Sequence, residues 1–405
     1  MTTFFVRRSV EKAFQLDESP SGLSLSMSRP IDSNPPFIMS AVDDVMYIVN
    51  AVIKKSLSTA QRDIVASVIP ATGRVLGSDF VVMIQRKMRD ESYPKPVVQG
   101  GFPPEDKIIS FIVLINSLDM ANEYLARIVS TYLGPSSSSS SSSPPSTQPN
   151  GHGHAFSPKE SFPFDHDAAF VVQLLQTLNT SFNAKTSELL NSGLQVLFNQ
   201  VVKPRLRPVL SDTFRDADYT LTEEELSDLL AQTEGASDDE RLAPLLDNII
   251  PDSSSSSSSL SRVASRFEQG WDALMRPIAR LMTPRTFATL LDITAAYLAR
   301  VLEKRAWSYG SSSTSGQGGG GVSPYGAIRM ERDFLGIVGV VSKGGNYAVR
   351  EAFAKMTQIL TVANMEEEEW EEIQGVKGGE DDDDGMEWIL TEEERRRARA
   401  LVRSS

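Results

Sequence analysis

Apolar residues recur at spacings of three and four through most of this chain, and no segment keeps a sustained alternation of period two. Spacings of three and four place side chains on one face of an α-helix, whereas a half-buried strand alternates. Two segments carry the pattern most clearly, and their apolar residues are Val42, Val45, Val49, Val52, Ile53 and Leu57, and Val263, Phe267, Trp271, Leu274, Ile278 and Leu281. The pattern therefore predicts an all-α fold of consecutive antiparallel helical bundles that form a rod.

Local signals predict where several of these helices begin. Ser40 precedes the first apolar stripe and is predicted to be its N-cap. Thr283-Pro284 separates the second stripe from the next helical segment and predicts a tight turn with proline at a first helical position. Further helices are predicted for residues 105–132, 167–202 and 347–360.

Four stretches of biased composition interrupt the helical pattern and are predicted to be disordered loops. They are a Ser/Pro-rich insertion at 134–165, a serine tract at 252–259, a Gly/Ser-rich segment at 309–324 and an acidic, glycine-containing segment at 366–386. The helical periodicity also thins over the acidic residues 216–239. This thinning predicts one helical bundle at 1–215 and a C-terminal helical bundle at 216–405.

Charge and cysteine content exclude several classes of function. The chain has 405 residues, a formal net charge of −13 and no cysteine. Disulfide scaffolds, thiolate zinc sites and cysteine nucleophiles are therefore excluded, and the acidic balance argues against a nucleic-acid partner. No secretory start is visible, and the apolar run at 108–115 is far shorter than a membrane span. We expect a protein on the cytosolic side whose membrane association is peripheral and goes through partners.

No motif indicates catalytic, cofactor or metal chemistry. The histidines are His152, His154 and His166, and the first two lie in a Gly-rich stretch that offers no rigid third ligand. The glycines at 318–321 precede no Lys-Ser/Thr and do not resemble a phosphate loop. The sequence predicts a non-enzymatic protein with no catalytic residues, no cofactor and no metal. A hydrolase or transferase with an unusual Glu/Asp site stays an alternative, and its sign would be paired buried carboxylates facing a cleft.

The last helical segment combines acids and arginines. Three glutamates from Glu392 are followed by arginines three and four residues later, behind the predicted N-cap Thr391. This order suits ion pairs within the helix and favours a self-stabilised surface helix. The alternative is a helix that docks a partner or locks a domain. Trp388, Ile389 and Leu390 are predicted to anchor its start, as in a hydrophobic staple.

Several collinear stretches carry a family resemblance. They are Val42 to Val49 (VDDVMYIV), Lys55-Ser56-Leu57-Ser58, Ser78-Asp79-Phe80, Leu302-Glu303-Lys304, Phe353 to Leu360 (FAKMTQIL), Asn364-Met365-Glu366 and Trp388 to Thr391 (WILT). In this order they resemble the C-terminal half of subunit four of the conserved oligomeric Golgi complex, a multisubunit vesicle-tethering family. Family members are about twice as long, and the Ser-rich and Gly-rich insertions are a departure from their pattern.

The resemblance implies a Golgi tethering subunit on the cytosolic face, acting in retrograde intra-Golgi transport. The implied partners are other subunits of the complex, and SNAREs with their regulators. Family members carry an arginine before the step that is here Gly326-Ala327, but this chain has Pro324-Tyr325, so an ionic lock to Glu394 lacks that arginine. Candidate interdomain or partner contacts are Glu394, Trp388 and Arg329. A generic helical adaptor outside the Golgi stays an alternative, although no fixed-period repeat is visible.

Overall fold

A computed structural model describes residues 2–98, 100–133, 161–162, 164–221, 261–310, 321–343, 347–375 and 387–402. Within these ranges the regular structure is helical, apart from one isolated bridge between Val322 and Val402. The predicted all-α class is confirmed. The chain forms two compact units, which are Met1–Val201 with Arg276–Leu290 (unit 1) and Val202–Met275 with Leu291–Ser405 (unit 2).

Within its described residues unit 1 contains six complete α-helices, and π-helical segments flank the fourth and follow the sixth, the latter at Phe198–Val202. The helices are α1 (Thr2–Gln15), α2 (Ser40–Leu57), α3 (Arg62–Val75), α4 (Val81–Arg86), α5 (Glu105–Leu133) and α6 (Asp165–Leu197), and the π segments around α4 are Leu76–Phe80 and Lys87–Glu91. Helices α1, α2 and α3 pack on one another, and α5 and α6 pack along their lengths. Phe80 lies at the centre, with ring centroids 5.8 Å from Phe14 and 6.2 Å from Phe182.

Helices α5 and α6 run antiparallel. Asn122 of α5 contacts Thr186 of α6, while Ile115, earlier in α5, lies beside Gly193, later in α6. A Cβ atom at Gly193 would lie 2.6 Å from the Met88 methyl group, so the glycine allows close approach at this point. The long helices predicted at 105–132 and 167–202 are therefore confirmed, and in the structure they pack against each other.

Two helical stretches are long and apolar enough to cross a membrane by length and composition. They are Arg62–Glu91 and Glu105–Leu133. The most apolar window of the second stretch is mostly buried inside the protein, which is typical of a core helix.

Unit 2 contains the remaining described helices. They are α7 (Lys203–Thr213), α8 (Arg262–Leu281), α9 (Pro284–Gly310), α10 (Pro324–Val341), α11 (Ala354–Asn364), α12 (Glu367–Gly375) and α13 (Glu392–Arg399), with a 3₁₀ segment at Tyr347–Phe353 before α11; the end of α8 and the start of α9 belong to unit 1. Helix α11 packs on α10 and α13. Phe334 anchors the core, with ring centroids 5.6 Å from Phe214 and 6.5 Å from Tyr219.

Two of the four predicted loops are shorter in the structure than the sequence suggested. Helix α9 continues to Gly310, and Val322 and Ser323 are buried, so the 309–324 prediction was too long at both ends. Helix α12 occupies Glu367–Gly375 inside the predicted 366–386 loop, because Trp370 gives that acidic segment a buried anchor. The segments 134–160, 222–260, 311–320 and 376–386 lie outside the described residues, as do His152 and His154.

The Ser40 prediction was wrong. Ser40 is the first residue of α2, and its N-cap is Met39, whose side chain makes no capping bond. The Ser40 hydroxyl instead accepts a 2.8 Å hydrogen bond from the Glu18 amide. The proline at Thr283-Pro284 does begin a helix, as predicted.

The division into units differs from the predicted boundary at residue 215. The first boundary falls between Val201 and Val202, and Arg276–Leu290 joins unit 1 although it is distant in sequence. The reason lies in Asn116, whose side-chain amide donates to the Leu281 carbonyl at 2.7 Å and whose carbonyl accepts from the Thr283 amide at 3.1 Å. Sequence patterning cannot show a contact of this kind, because the partners are more than 160 residues apart.

Candidate interaction site at the last helix

Helix α13 begins with a capping box. The Thr391 hydroxyl accepts a hydrogen bond from the Glu394 amide at 3.3 Å, and Glu394 Oε2 accepts one from the Thr391 amide at 3.0 Å. This reciprocal arrangement satisfies two amides that a helix start otherwise leaves free. It also fixes the Glu394 side chain, so that its other oxygen, Oε1, is free to bind a neighbouring helix. The Thr391 cap prediction is confirmed.

Lys355 of α11 links α13 to α9. Its Nζ lies 2.7 Å from Glu394 Oε1 and 3.2 Å from Glu303 Oε1. The hydrogen bond from Lys355 holds the pKa of Glu394 below its ordinary value, and the same bond raises the pKa of Lys355. Each shift follows from the attraction between the two charges. One cation therefore joins three helices of unit 2 by its contacts to two carboxylates.

The arginines of α13 mostly face other parts of unit 2. The Arg395 guanidinium lies 4.9 Å from the Trp388 ring centroid, and that of Arg397 lies 4.5 Å from the Trp307 centroid. Arg399 donates to the Met365 carbonyl and, at 2.7 Å, to Glu367. Only Arg396 pairs along the helix, with Glu392 four residues earlier. The helix is therefore held mainly by contacts to the rest of unit 2, so the interpretation as a self-stabilised surface helix was too narrow. A role in docking a partner or locking a domain stays a prediction.

The segment before α13 is held by one side-chain amide. Gln358 of α11 donates to the Glu387 carbonyl at 2.8 Å and accepts from the Ile389 and Leu390 amides at 2.9 and 3.2 Å. Leu390 is buried, but Ile389 is 51% exposed. The prediction that all three apolar residues anchor the helix start was therefore too broad. Trp388 is half-buried and contributes through Arg395.

Arg329 lies at a different place in unit 2. It is 7% exposed, and its Nη1 donates to the Asp218 carbonyl at 3.3 Å. Its guanidinium lies about 6 Å from the rings of Tyr219 and Tyr325. Its predicted role as an interdomain or partner contact stays a prediction, and its burial leaves little surface for such a role.

Tyr219 and Asp333 form the polar centre beside Arg329. The Tyr219 hydroxyl donates to Asp333 Oδ2 at 2.9 Å, and both residues are buried. Burial is the main reason that the pKa of Tyr219 lies far above its ordinary value, with the Asp333 carboxylate adding to the shift. Asp333 Oδ1 has no hydrogen-bond partner among the described residues. This buried pair holds the middle of α10 against the segment around Tyr219.

Pro324 and Tyr325, which stand before Gly326 where the resemblance implies an arginine, form the first turn of α10. Helix α10 begins at Pro324 behind the N-cap Ser323, whose hydroxyl accepts from the Gly326 amide at 2.9 Å.

The cation that pairs with Glu394 is Lys355. Lys355 was missed as a site residue, although it is the single charged residue in the sequence of α11, which is the signal that could have found it.

Among the residues that the structure describes, buried carboxylates do not form a paired site within either unit. Asp119 lies in unit 1 and accepts from the Thr283 hydroxyl at 2.7 Å, while Asp333 lies in unit 2 and accepts from Tyr219. In the described part of the chain, no group of three or more His, Asp or Glu side chains could hold a metal ion. His166 stacks on Phe164 and lies 3.3 Å from Asp167. These acids are used in hydrogen bonds that join helices and turns.

Two family models match the chain. The model described as conserved oligomeric Golgi complex subunit 4, C-terminal, matches residues 111–397. The model described as COG4 transport protein, middle alpha-helical bundle, matches residues 1–88. Together they follow the chain in the order of the collinear stretches.

Individual relatives with the printed name conserved oligomeric Golgi complex subunit 4 are similar over most of the chain. The Arabidopsis thaliana protein is 25% identical over 400 residues, which are 98% of this chain and 43% of that protein. The Homo sapiens protein is 23% identical over 90% of this chain and 40% of its own length. The Saccharomyces cerevisiae protein is 22% identical over 73% of this chain and 30% of its own length. The chain spans less than half the length of these relatives.

Proposed function

The chain belongs to the conserved oligomeric Golgi complex subunit 4 family, and we propose that it serves as a structural part of a Golgi vesicle-tethering complex in retrograde intra-Golgi transport. The observation that carries the proposal is the match of the C-terminal family model to residues 111–397. In this role the chain binds other subunits of the complex.

The chemistry of the described residues supports a scaffold without enzymatic activity. Glu394, Lys355 and Glu303 connect three helices, and the buried Asp119 and Asp333 each accept a hydrogen bond from a hydroxyl group within their own unit. Charged groups that are committed to holding helices together are not available as acids, bases or nucleophiles. The proposal therefore assigns this chain to assembly and positioning.

Two finer statements belong to the same proposal. The protein acts at the cytosolic face of Golgi membranes and is held there peripherally through its partners. SNAREs and their regulators are among those partners, so that captured vesicles are brought to the fusion machinery. Both statements come from the family resemblance and are tested separately from assembly.

The test is depletion of the protein that carries this chain, followed by rescue. The proposal expects a tagged copy of the protein to colocalise with a Golgi marker. It also expects that removing the protein lowers the amount of Golgi-resident glycosyltransferases and shortens surface glycans. The variant Gly339→Ala, whose added Cβ on α10 would contact no other atom within 4 Å, should restore the glycosyltransferases and the surface glycans when it is expressed in the depleted cells. Normal glycans after depletion, or a protein spread outside the Golgi, would instead favour the generic helical adaptor.

A further inference from the structure

Unit 1 contains an open cavity of about 710 Å³. Its walls are α5, α6, the turn between α8 and α9, and the loop segment that includes Pro35 and Phe37, all of which belong to unit 1. The volume lies within the range of about 300–1,000 Å³ that is typical of ligand-binding sites. Nothing in the family resemblance assigns a role to it.

The cavity wall is held in place by buried hydrogen bonds. Asn116 binds three backbone groups, which are the carbonyls of Phe37 and Leu281, at 3.1 and 2.7 Å, and the amide of Thr283, at 3.1 Å. Asp119 accepts from the Thr283 hydroxyl at 2.7 Å. A wall that is fixed before binding loses less conformational entropy when a ligand enters.

Three asparagine side chains from α5 and α6 line the same cavity. Asn122 is 6% exposed, its carbonyl oxygen accepts from the Thr186 hydroxyl at 2.5 Å, and no described residue accepts a hydrogen bond from its NH₂ group. Asn179 is half-buried and Asn183 is exposed, and the two are one turn apart on α6. Their NH₂ groups have no acceptor among the described residues, while Asn183 Oδ1 accepts from the Ser187 hydroxyl at 3.2 Å. Each of these NH₂ groups is open to the cavity and can donate a hydrogen bond to a ligand in place of water.

The chemistry of these side chains fits a peptide backbone. An asparagine amide offers two N–H donors and one carbonyl acceptor, which can pair with the C=O and N–H groups of an extended segment. Recognition of extended peptides generally combines such backbone hydrogen bonds with pockets for side chains. Here Phe37, Met282 and Pro36 provide apolar surface on the walls formed by the loop segment and the turn.

The charges at the cavity favour a basic residue in that segment. Asp119 Oδ1 accepts no hydrogen bond from the described residues, and its nearest cation is the exposed Arg285, whose Nη1 is 3.7 Å away. The second carboxylate, Glu123, also lines the cavity and pairs with Arg127, which does not line it. A lysine or arginine can displace Arg285 from Asp119, whereas an acidic residue would be repelled.

We propose that this cavity binds an extended peptide segment of a partner protein that presents a lysine or arginine to Asp119. The inference rests on the cavity alone. It is tested with the purified chain, so it can fail or succeed independently of assembly into a Golgi complex.

The experiment selects peptides from a random 12-residue phage library on the purified full chain, then measures synthetic peptides by fluorescence anisotropy. The expected peptides contain a basic residue, and replacing it by norleucine weakens binding. The double variant Asn179→Ala/Asn183→Ala weakens binding about thirtyfold, the factor that corresponds to the loss of two hydrogen-bonding side chains at about 1 kcal/mol each. Asn191→Ala, an exposed asparagine on the same helix outside the cavity, leaves binding unchanged.

Arg285→Ala gives a second and opposite readout. Removing the competing guanidinium should tighten binding of the basic peptide about two- to threefold and leave binding of the norleucine peptide unchanged. The proposal is overturned if no peptide is recovered, if the recovered peptides are acidic, or if the asparagine double variant binds them as well as the unaltered chain does.

Discussion

Lys355 donates a 2.7 Å hydrogen bond to Glu394, and this contact fastens the last helix of the described chain to α11. The two residues are 39 positions apart, and Glu394 is held in place by the capping box at Thr391. Lys355 also reaches Glu303, so the contact extends to α9. The integrity of the C-terminal unit therefore depends in part on one lysine.

A double-mutant cycle measures the Lys355–Glu394 contact. Lys355→Met and Glu394→Gln should each lower the free energy of unfolding, with a coupling energy of about 0.5–1 kcal/mol, because the side chains are partly exposed and screened. All four tryptophans, Trp271, Trp307, Trp370 and Trp388, belong to unit 2, so their fluorescence in urea follows this unit. Adding 1 M NaCl should reduce the coupling; a salt-independent coupling would contradict an ionic origin.

The same contact has a defined pH dependence. The folded pKa of Glu394 lies below its ordinary 4.5, so its contribution is complete above pH 4.5 and is lost as the pH falls through the folded value. The folded pKa of Lys355 lies above 10.5, so its contribution is complete below pH 10.5 and is lost as the pH rises further. Unfolding titrations of the unaltered chain and of Glu394→Gln should therefore converge at acidic pH. If the difference in the free energy of unfolding between the two proteins stayed constant down to acidic pH, this linkage would be excluded.

Removing the buried Tyr219–Asp333 hydrogen bond should lower the free energy of unfolding more than breaking the Lys355–Glu394 contact does. Tyr219→Phe removes the hydroxyl donor to a carboxylate that is 2% exposed and whose other oxygen has no hydrogen bond from the described residues. We expect a loss of about 1–3 kcal/mol, because the buried acceptor is left unpaired. Tyr347→Phe, at a residue that is 65% exposed, is the control and should change little. Equal effects of the two changes would refute the role of this pair.

Two glycines of α10 should respond oppositely to alanine. A Cβ at Gly326 would lie 1.9 Å from the Tyr219 carbonyl oxygen, whereas a Cβ at Gly339 meets nothing within 4 Å. Gly326→Ala should destabilise unit 2 by about 3 kcal/mol or more, since the backbone must move. Gly339→Ala should stabilise it by about 0.5–1 kcal/mol through helix propensity. Tryptophan fluorescence in urea tests both, and a well-tolerated Gly326→Ala would contradict the close approach.

The hydrogen bonds of Asn116 are expected to hold the segment Arg276–Leu290 in unit 1. Asn116→Ala removes three hydrogen bonds to backbone groups, and we expect a loss of about 3 kcal/mol at about 1 kcal/mol each. Amide hydrogen exchange at Thr283, whose N–H loses its acceptor, should accelerate. The exposed Asn191→Ala serves as control. Unchanged exchange at Thr283 would mean that other contacts hold this segment.

The sequence predicted the local features well, because they depend on neighbouring residues. Spacings of three and four are sufficient to identify the helices, and Thr391 and Glu394 stand at the separation of a capping box. Ser40 shows the limit of this reasoning, since its hydroxyl binds the distant Glu18 amide instead of capping its own helix.

The remaining features depend on contacts between distant parts of the chain. Asn116 and Leu281 are 165 residues apart, and Tyr219 and Asp333 are 114 apart. No periodicity or local motif encodes such a pairing. The same reason explains why the partners of Lys355, the cavity asparagines and the discontinuous first unit were not predicted, whereas the fold class was.

The most direct test of the central claim is affinity purification of the protein that carries this chain, tagged at its own chromosomal locus, followed by mass spectrometry. The account predicts recovery of the other subunits of the conserved oligomeric Golgi complex in comparable amounts. A tagged protein that is folded and abundant but recovers none of these subunits would contradict the claim that this chain is part of a Golgi tether.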